Sequence, residues 1–432
     1  MRAPTGRTIP RGAAAVPATI SLLVAMAIAL LATLPAAAGE SRYLTEGKFL
    51  VREVAGTIPG QSPRVRVETD LGAVQARAAA GPEVGYRIRV RLRGADDARN
   101  RERLERLVVS AATEGGLLVF RGDLPAGTAR EGIQAEFVFD LPGSVREFEA
   151  ITGAGTVEAR GLAGRTVLAS RGGNITADRI GGPLQAETRG GNIMIGEVGA
   201  AARLVTAGGM VHVTRAGDEV VAQTTGGNVT IGSAAGLVRA ETGGGNIAID
   251  AAERDVFAQT GGGAIRIGRI GGQLTATSAG GGIQVAGAGG GVRAETAGGS
   301  IVLNGIAGPI RAVTSAGSIR AELLPTARAF FDSDLQTWQG DVTVALPSGL
   351  PLSVRAFVDG AVGDRIRSDF PLTIFREAED SGRPVQVAEG DIAGGGPVLR
   401  IRTQGGTITI LKTGGGAPLP VSPSTSQEKG GL

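Results

Sequence analysis

An apolar residue recurs at positions 139, 157, 175, 193, 211, 229, 247, 265, 283, 301 and 319, and every step between these eleven positions is 18 residues. A fixed period sustained this long is the signature of a solenoid, whose repeats can bury their apolar faces only by stacking on one another. The anchor closes a recurring motif, Thr188-Arg-Gly-Gly-Asn-Ile193. It returns as Ser170-Arg-Gly-Gly-Asn-Ile175, Thr224-Thr-Gly-Gly-Asn-Val229, Thr242-Gly-Gly-Gly-Asn-Ile247 and Thr296-Ala-Gly-Gly-Ser-Ile301.

With the anchor as offset zero, offset 2 is again apolar (Ile195, Val213, Ile231, Ile249) and offset 9 is aliphatic (Leu184, Val220, Val238, Val256). Offset 11 is alanine from Ala222 to Ala312, and offset 13 is Thr or Ser from Ser170 to Thr314. Alternate residues of a strand point to one side, so each coil carries two short strands with these positions inward. The opposite parity is polar: Arg239 and Glu241, Arg293 and Glu295, Gln223, Gln259. Glycine pairs such as Gly190-Gly191 and Gly271-Gly272 supply the turns. Parallel coils lie ~4.8 Å apart, so ten steps make a rod of roughly 48 Å. Stacking predicts an Asn ladder (Asn174 with Asn192, Asn228 with Asn246, interrupted by Met210) and a longer Thr ladder from Thr188 to Thr314.

The fold class is therefore all-β, a parallel β-solenoid (β-helix) of 18-residue coils preceded by a small β-rich lead-in module. Aromatics make up only 3% of the chain, which suits a narrow aliphatic core. Residues 1–38 read as an export signal: Arg2, Arg7 and Arg11, an apolar run Ile20–Leu34, then Ala36-Ala37-Ala38. Cleavage after Ala38 is expected, with a retained membrane anchor as the alternative. Residues 40–138 form the lead-in and cap, with strands at 65–69, 86–92, 117–120 and 133–139 and a short amphipathic helix between Asp96 and Leu107. Regular coils span 139–325. Irregular coils with inserted loops follow over 326–412, including a loop at 376–396, and residues 413–432 read as a disordered tail. Trp338 and Phe330-Phe331 are expected to plug the narrow core where regularity ends.

The chemistry that the sequence excludes is extensive. A formal charge of +3, spread over 44 basic and 41 acidic residues, lacks the clustered stripe of a nucleic-acid binder. There is no cysteine, hence no thiolate site. Calcium-binding solenoids need Gly-Gly-x-Gly-x-Asp, and the aspartate is missing from every turn here. Left-handed hexapeptide helices need an inward aliphatic at offset 12, where this chain has Glu187, Gln223, Glu241, Gln259 and Glu295. The glycine-rich motifs carry no Gly-Lys-Ser ending and do not open a helix, so they are not phosphate loops. The Thr ladder has inward parity, so it is not an ice-binding face. His212 is the only histidine, at an outward offset without a His or Cys partner. Paired outward acids such as Glu241 with Glu295, or Asp250 with Glu253, would be needed for glycan cleavage. They are expected to pair with outward arginines instead.

With the coils laid out, the chain resembles the bacterial "putative adhesin" family of unknown function, whose head domain is a β-solenoid akin to that of autotransporter-adhesin-like proteins. The residues that carry the resemblance are the export signal, the β-rich lead-in and Phe137-Val-Phe-Asp-Leu-Pro142. To these are added the Thr-x-Gly-Gly-Asn-Ile coils, Gly340-Asp-Val-Thr-Val-Ala-Leu-Pro347, Arg367-Ser-Asp-Phe-Pro-Leu372 and Leu399–Ile410. Together they cover residues 49–412. The resemblance supplies no catalytic residues, and the residues themselves point to no cofactor and no metal. The expected function is an exported, non-enzymatic scaffold or adhesion surface at the periplasm, cell surface or outside. Its partner would be a surface polymer, a glycan or an envelope protein. Membrane contact would come only through an uncleaved signal segment, and nucleic acid is not a partner. Two other readings are carried alongside: a carbohydrate-active β-helix enzyme, either lyase or hydrolase, and a sensor or assembly partner for another envelope protein.

Overall fold

A computed structural model describes residues 40–60, 62–125, 132–325, 331–378 and 384–413. The expected signal segment, Phe330 and the tail from 414 lie outside the described residues.

The molecule is a β-solenoid of two long parallel sheets, with 18 strands in each among the described residues. One sheet holds the strands that begin at each anchor (Ile193–Val198, Val211–Ala216, Val229–Ala234), paired in strict register: Ile193 with Val211, Val211 with Val229. The other holds the strands ending in Thr (Ala202–Thr206, Val220–Thr224, Val238–Thr242), again with like residues opposed. We refer to them as the anchor sheet and the Thr sheet. Three strands in each are antiparallel and lie at the ends. The remaining fourteen coil-to-coil steps give a rod of roughly 67 Å.

Offsets 0, 2, 9, 11 and 13 are buried along the run, as their parity predicts. A sixth inward position was not read from the sequence. Offset 5 (Val198, Ala216, Ala234, Ala252, Ile270, Ala288, Ile306) is buried throughout. It breaks the period of two because the anchor strand bends after offset 2, giving the burial order in, out, in, out, out, in.

The Thr ladder is a set of coil-to-coil clamps and not a stack of hydroxyls bonded to each other. Thr206 Oγ1 donates to Gly191 O of the previous coil (2.8 Å) and accepts from Gly209 N (3.3 Å). Thr224 repeats this with Gly209 O (2.7 Å) and Gly227 N (3.2 Å), and Thr242 with Gly227 O (2.7 Å) and Gly245 N (3.1 Å). Each clamp satisfies a hydroxyl that would otherwise be buried unpaired. The Asn ladder also differs from expectation. Asn174 Oδ1 accepts from the backbone N of Asn192 (2.8 Å), and Asn192 Oδ1 from that of Met210 (2.9 Å). The receiving residue need not be Asn, which is why Ala264 can follow Asn246 in the same way (2.8 Å).

The ends depart from simple order. Phe139 does not stack on Val157: its strand Ile133–Pro142 pairs in parallel with Ala73–Ala79, and that strand pairs with Val157–Arg160. The register aligns Val157 with Val74 and Val74 with Phe137, so Phe139 occupies offset 2. The 18-residue step from 139 is a coincidence of spacing, because the coil containing Ala73–Ala79 is interposed. The predicted lead-in strands and the helix Ala98–Glu105 are present, the helix N-capped by Asp97, whose carboxylate accepts from Asn100 N. Here the core widens around Phe120, Phe137, Phe139 and Phe148, with the rings of Phe120 and Phe139 4.8 Å apart edge to face.

At the other end, the final strands Val398–Thr403 and Ile408–Thr413 do not lie outermost. Val398–Thr403 is sandwiched between Ser333–Gln339 and Leu352–Asp359, and Ile408–Thr413 between Val342–Pro347 and Ile366–Ser368. The segment 376–396, expected as a loop, is instead largely a hairpin. Thr373–Ala378 and Pro384–Ile392 pair antiparallel, and the second covers Leu352–Asp359. This closes the Thr sheet with strands of opposed direction, which blunts an otherwise open parallel edge.

Near the lead-in end, burial pushes the Asp123 carboxyl above the ordinary carboxylate range, and Asp70 beside it acts in the same direction. A raised folded-state value means that Asp123 contributes most favourably below the unfolded carboxylate range, about 4, and that this contribution is lost as pH rises through the raised value. Asp123→Asn should therefore raise the melting temperature at pH 7 and leave it nearly unchanged at pH 4, by a small amount because the side chain reaches solvent. Equal shifts at both pH values would argue against the assignment.

Candidate binding face

The outward side of the Thr sheet carries two parallel rows. Offset 10 runs Arg203, Val221, Arg239, Phe257, Thr275, Arg293, Arg311, and offset 12 runs Val205, Gln223, Glu241, Gln259, Thr277, Glu295, Val313. Arginine dominates the first and Glu or Gln the second because i and i+2 on a strand share a face and attract across it. Arg239 pairs with Glu241 (3.2 Å) and lies over the Phe257 ring at 5.2 Å, while Gln223 donates to Glu241 (2.9 Å). Glu295 is shared by Arg293 (2.7 Å) and Arg311 (3.6 Å).

The acids singled out from the sequence do not form a cleaving pair by this geometry. Glu241 and Glu295 are not on neighbouring coils: the register runs from Glu241 through Gln259 and Thr277 to Glu295. Three steps put them roughly 14 Å apart, beyond the ~5–9.5 Å that glycoside-cleaving carboxylates span. Asp250 and Glu253 lie exposed on one coil. His212 faces outward and is half-buried. Among the described residues, no group of three or more His, Cys, Asp or Glu side chains is arranged to hold a metal ion.

Concavity arises on this face where the interleaved C-terminal coil meets the regular run. A groove of about 470 Å³ is lined by Arg293, Arg311, Arg400, Asp332, Ser333 and Asp334, and the register sets Asp334 between Arg311 and Arg400. Its wall is fixed by the Asp332 carboxylate, which accepts from Val398 N at 2.8 Å. A second groove, about 320 Å³, shares Arg400 and adds Phe357, Asp359, Glu377 and Arg402. Arg402 is held by Asp359 at 2.8 Å. Phe357, in register with Val387, and Val385 also line it, so apolar side chains floor the second groove beside its charges.

Phe331 and Trp338 were expected to plug the core. The structure overturns this: Phe331 is 64% exposed and Trp338 41%. The strand Ser333–Gln339 that holds Trp338 is internal, flanked on both sides by other strands, so no core end lies there to be covered. Grooves built by chain interleaving leave no periodic trace, so the cluster around Arg400 could not be assembled from sequence. The one available signal was the run of unlike residues where the period lengthens.

No known protein family matches the chain, and no curated protein is similar to it. Among solved structures it is similar to a "putative cell adhesion protein" from Clostridium sporogenes, with 8% identity and a TM-score of 0.17, over 84% of this chain and all 100% of that one. It is also similar to a "putative adhesin" from Bacteroides fragilis, with 10% identity and a TM-score of 0.21, over 85% and 98% of the two chains. Neither superposition is close enough to bear on what this chain does.

Proposed function

We propose that the chain is an exported, non-enzymatic β-solenoid acting as an envelope scaffold or adhesion surface, and that it meets its partner through the Thr-sheet face at the grooves around Arg400. The observation that carries this reading is that Arg293, Arg311 and Arg400 line one groove, where the outward row of the Thr sheet runs Arg293, Arg311, Asp334, Arg400. A flat face with a polar repeat every ~4.8 Å matches an extended polymer better than a compact ligand. Arginine forks favour carboxylate-bearing partners, and the half-buried Phe357 offers apolar contact beside them. The fitting partner is therefore an acidic surface glycan.

Binding of the purified protein to a uronic-acid polymer, measured against a neutral polymer of equal length, tests this. The acidic polymer should bind more tightly and lose affinity with added salt. Arg400→Glu should weaken it about tenfold or more, that is by ~1.4 kcal/mol or more, since it removes one charge-assisted contact and sets a like charge against the polymer. Equal binding of both polymers, or indifference to Arg400→Glu, would reject the face. Cleavage of the polymer, lost on substituting an outward acidic pair, would instead favour the enzyme reading.

A further inference from the structure

The chain has four methionines and one histidine. Among the described residues stand Met194, Met210 and His212, and the fold brings these three together. Strands Ile193–Val198 and Val211–Ala216 pair in parallel with Met194 opposite His212, which sets their backbones ~4.8 Å apart. Their anchors Ile193, Ile195, Val211 and Val213 are 0–1% exposed, so the residues between them must face out. Met210 lies two residues before His212, at the corner immediately before the strand begins at Val211. Both methionines are about half exposed, at 49% and 47%.

Met210 also breaks the rule of its own position. The equivalent residues on the surrounding coils are Asn174, Asn192, Asn228 and Asn246, and Asn192 and Asn246 each bond the backbone of the next coil. Met210 N donates to Asn192 Oδ1, but Met210 has no side-chain oxygen to accept from the coil after it, which forgoes roughly 1 kcal/mol. A repeat that gives up a bond to expose a thioether beside the chain's only imidazole breaks a local rule as functional positions do. The flanking outward residues Thr176, Thr230 and Thr214 are uncharged, and the nearby Glu197 and Arg215 pair with each other at 3.5 Å. The patch thus offers soft, neutral donors, and the carboxylates beside it, Asp178 and Glu197, are paired with Arg179 (3.3 Å) and Arg215 (3.5 Å).

We propose that Met194, Met210 and His212 form a binding site for a soft monovalent cation, Cu(I), for which Ag(I) serves as a redox-inert probe. Thioethers select such ions over Zn(II) or Ca(II), and the imidazole supplies a borderline nitrogen donor. The sequence expectation of no metal considered His, Cys and carboxylate spacing, which cannot register two methionines brought to a histidine by stacking.

The test is titration of the full chain with Ag(I), and with Cu(I) under reducing, oxygen-free conditions against a competing chelator. Loss of the free His212 imidazole signal is followed by NMR. One equivalent should bind with a shift of that signal. Met210→Asn restores the residue of the repeat and should keep or raise the melting temperature while weakening Ag(I) binding tenfold or more. Met194→Thr and His212→Thr, each taking the residue of a neighbouring coil, should do likewise. The site is overturned if the His212 signal does not move with Ag(I), if none of the three variants weakens binding, or if Zn(II) binds as tightly as Ag(I).

Discussion

Gly227→Ala should break the stack at its centre, lowering stability by about 3–5 kcal/mol, above the usual ~1–3 kcal/mol of overpacking because clamp bonds of roughly 1 kcal/mol each fall with it. A Cβ at Gly227 would sit 2.1 Å from Gly209 O, a backbone atom that cannot swing aside. That same carbonyl accepts from Thr224 Oγ1, and Gly227 N donates to the same hydroxyl. Moving Gly227 to relieve the clash therefore pulls on both bonds of this clamp. It also shifts Gly227 O, the acceptor for Thr242 in the next coil. Gly226 is the internal control, because a Cβ there meets nothing closer than 3.9 Å. Gly226→Ala should be close to neutral, within ~1 kcal/mol, or gain slightly from the stiffer unfolded chain. The comparison by chemical denaturation isolates close approach from glycine's backbone freedom. Equal destabilisation by the two variants would mean that the turn needs glycine's angles, and the packing account would fail.

Thr224→Val provides the smaller companion effect. It keeps the shape and removes the hydroxyl that links Gly209 O to Gly227 N. The loss should be about 1–3 kcal/mol, since the carbonyl and amide stay buried without a partner.

These clamps mark the boundary of what could be read from sequence. Offset parity and the 18-residue step were enough to place Thr224 inside and to assign the glycines to corners, because side-chain direction in a strand follows from counting alone. Counting fails where strands are neighbours in space but not in order. Phe139 keeps the step of 18 from Val157, yet Ala73–Ala79 lies between their strands, paired through backbone groups that every residue has. Interleaving at the C-terminal end is equally silent, and with it the groove around Arg400. Offset 5 was missed for a different reason: alanine at Ala216, Ala234 and Ala252 is compatible with either side, and the bend that turns it inward is a backbone event. Met194, Met210 and His212 were each visible, but only the register across coils shows that they meet.

The second large effect concerns the interleaved coil. A chain truncated after Gly396 should lose ordered structure from about residue 333 onward while retaining the regular coils. Strand Val398–Thr403 bonds to strands on both of its sides, as does Ile408–Thr413, so deletion leaves two coils facing each other across a gap of ~9.6 Å, twice the strand spacing. That is too far for direct pairing. Four aliphatics of the removed segment, Leu399, Ile401, Ile408 and Ile410, are 0% exposed. Each is worth ~1.5–3 kcal/mol of burial, so the loss is on the order of 6–12 kcal/mol and comparable to the whole stability of an ordinary domain. In a solenoid such a loss remains local, since each coil contacts only its neighbours. Hydrogen exchange should thus show protection collapsing at Leu335, Val344 and Ala356 but surviving from Ile193 to Ile301. A synthetic peptide of residues 397–413, added in trans, should restore the lost protection by filling the vacated strand positions on both sheets. Protection at Leu335 and Ala356 that survives truncation would show that the outer coil can close directly on the regular run, and that interleaving is not what holds this end of the rod together.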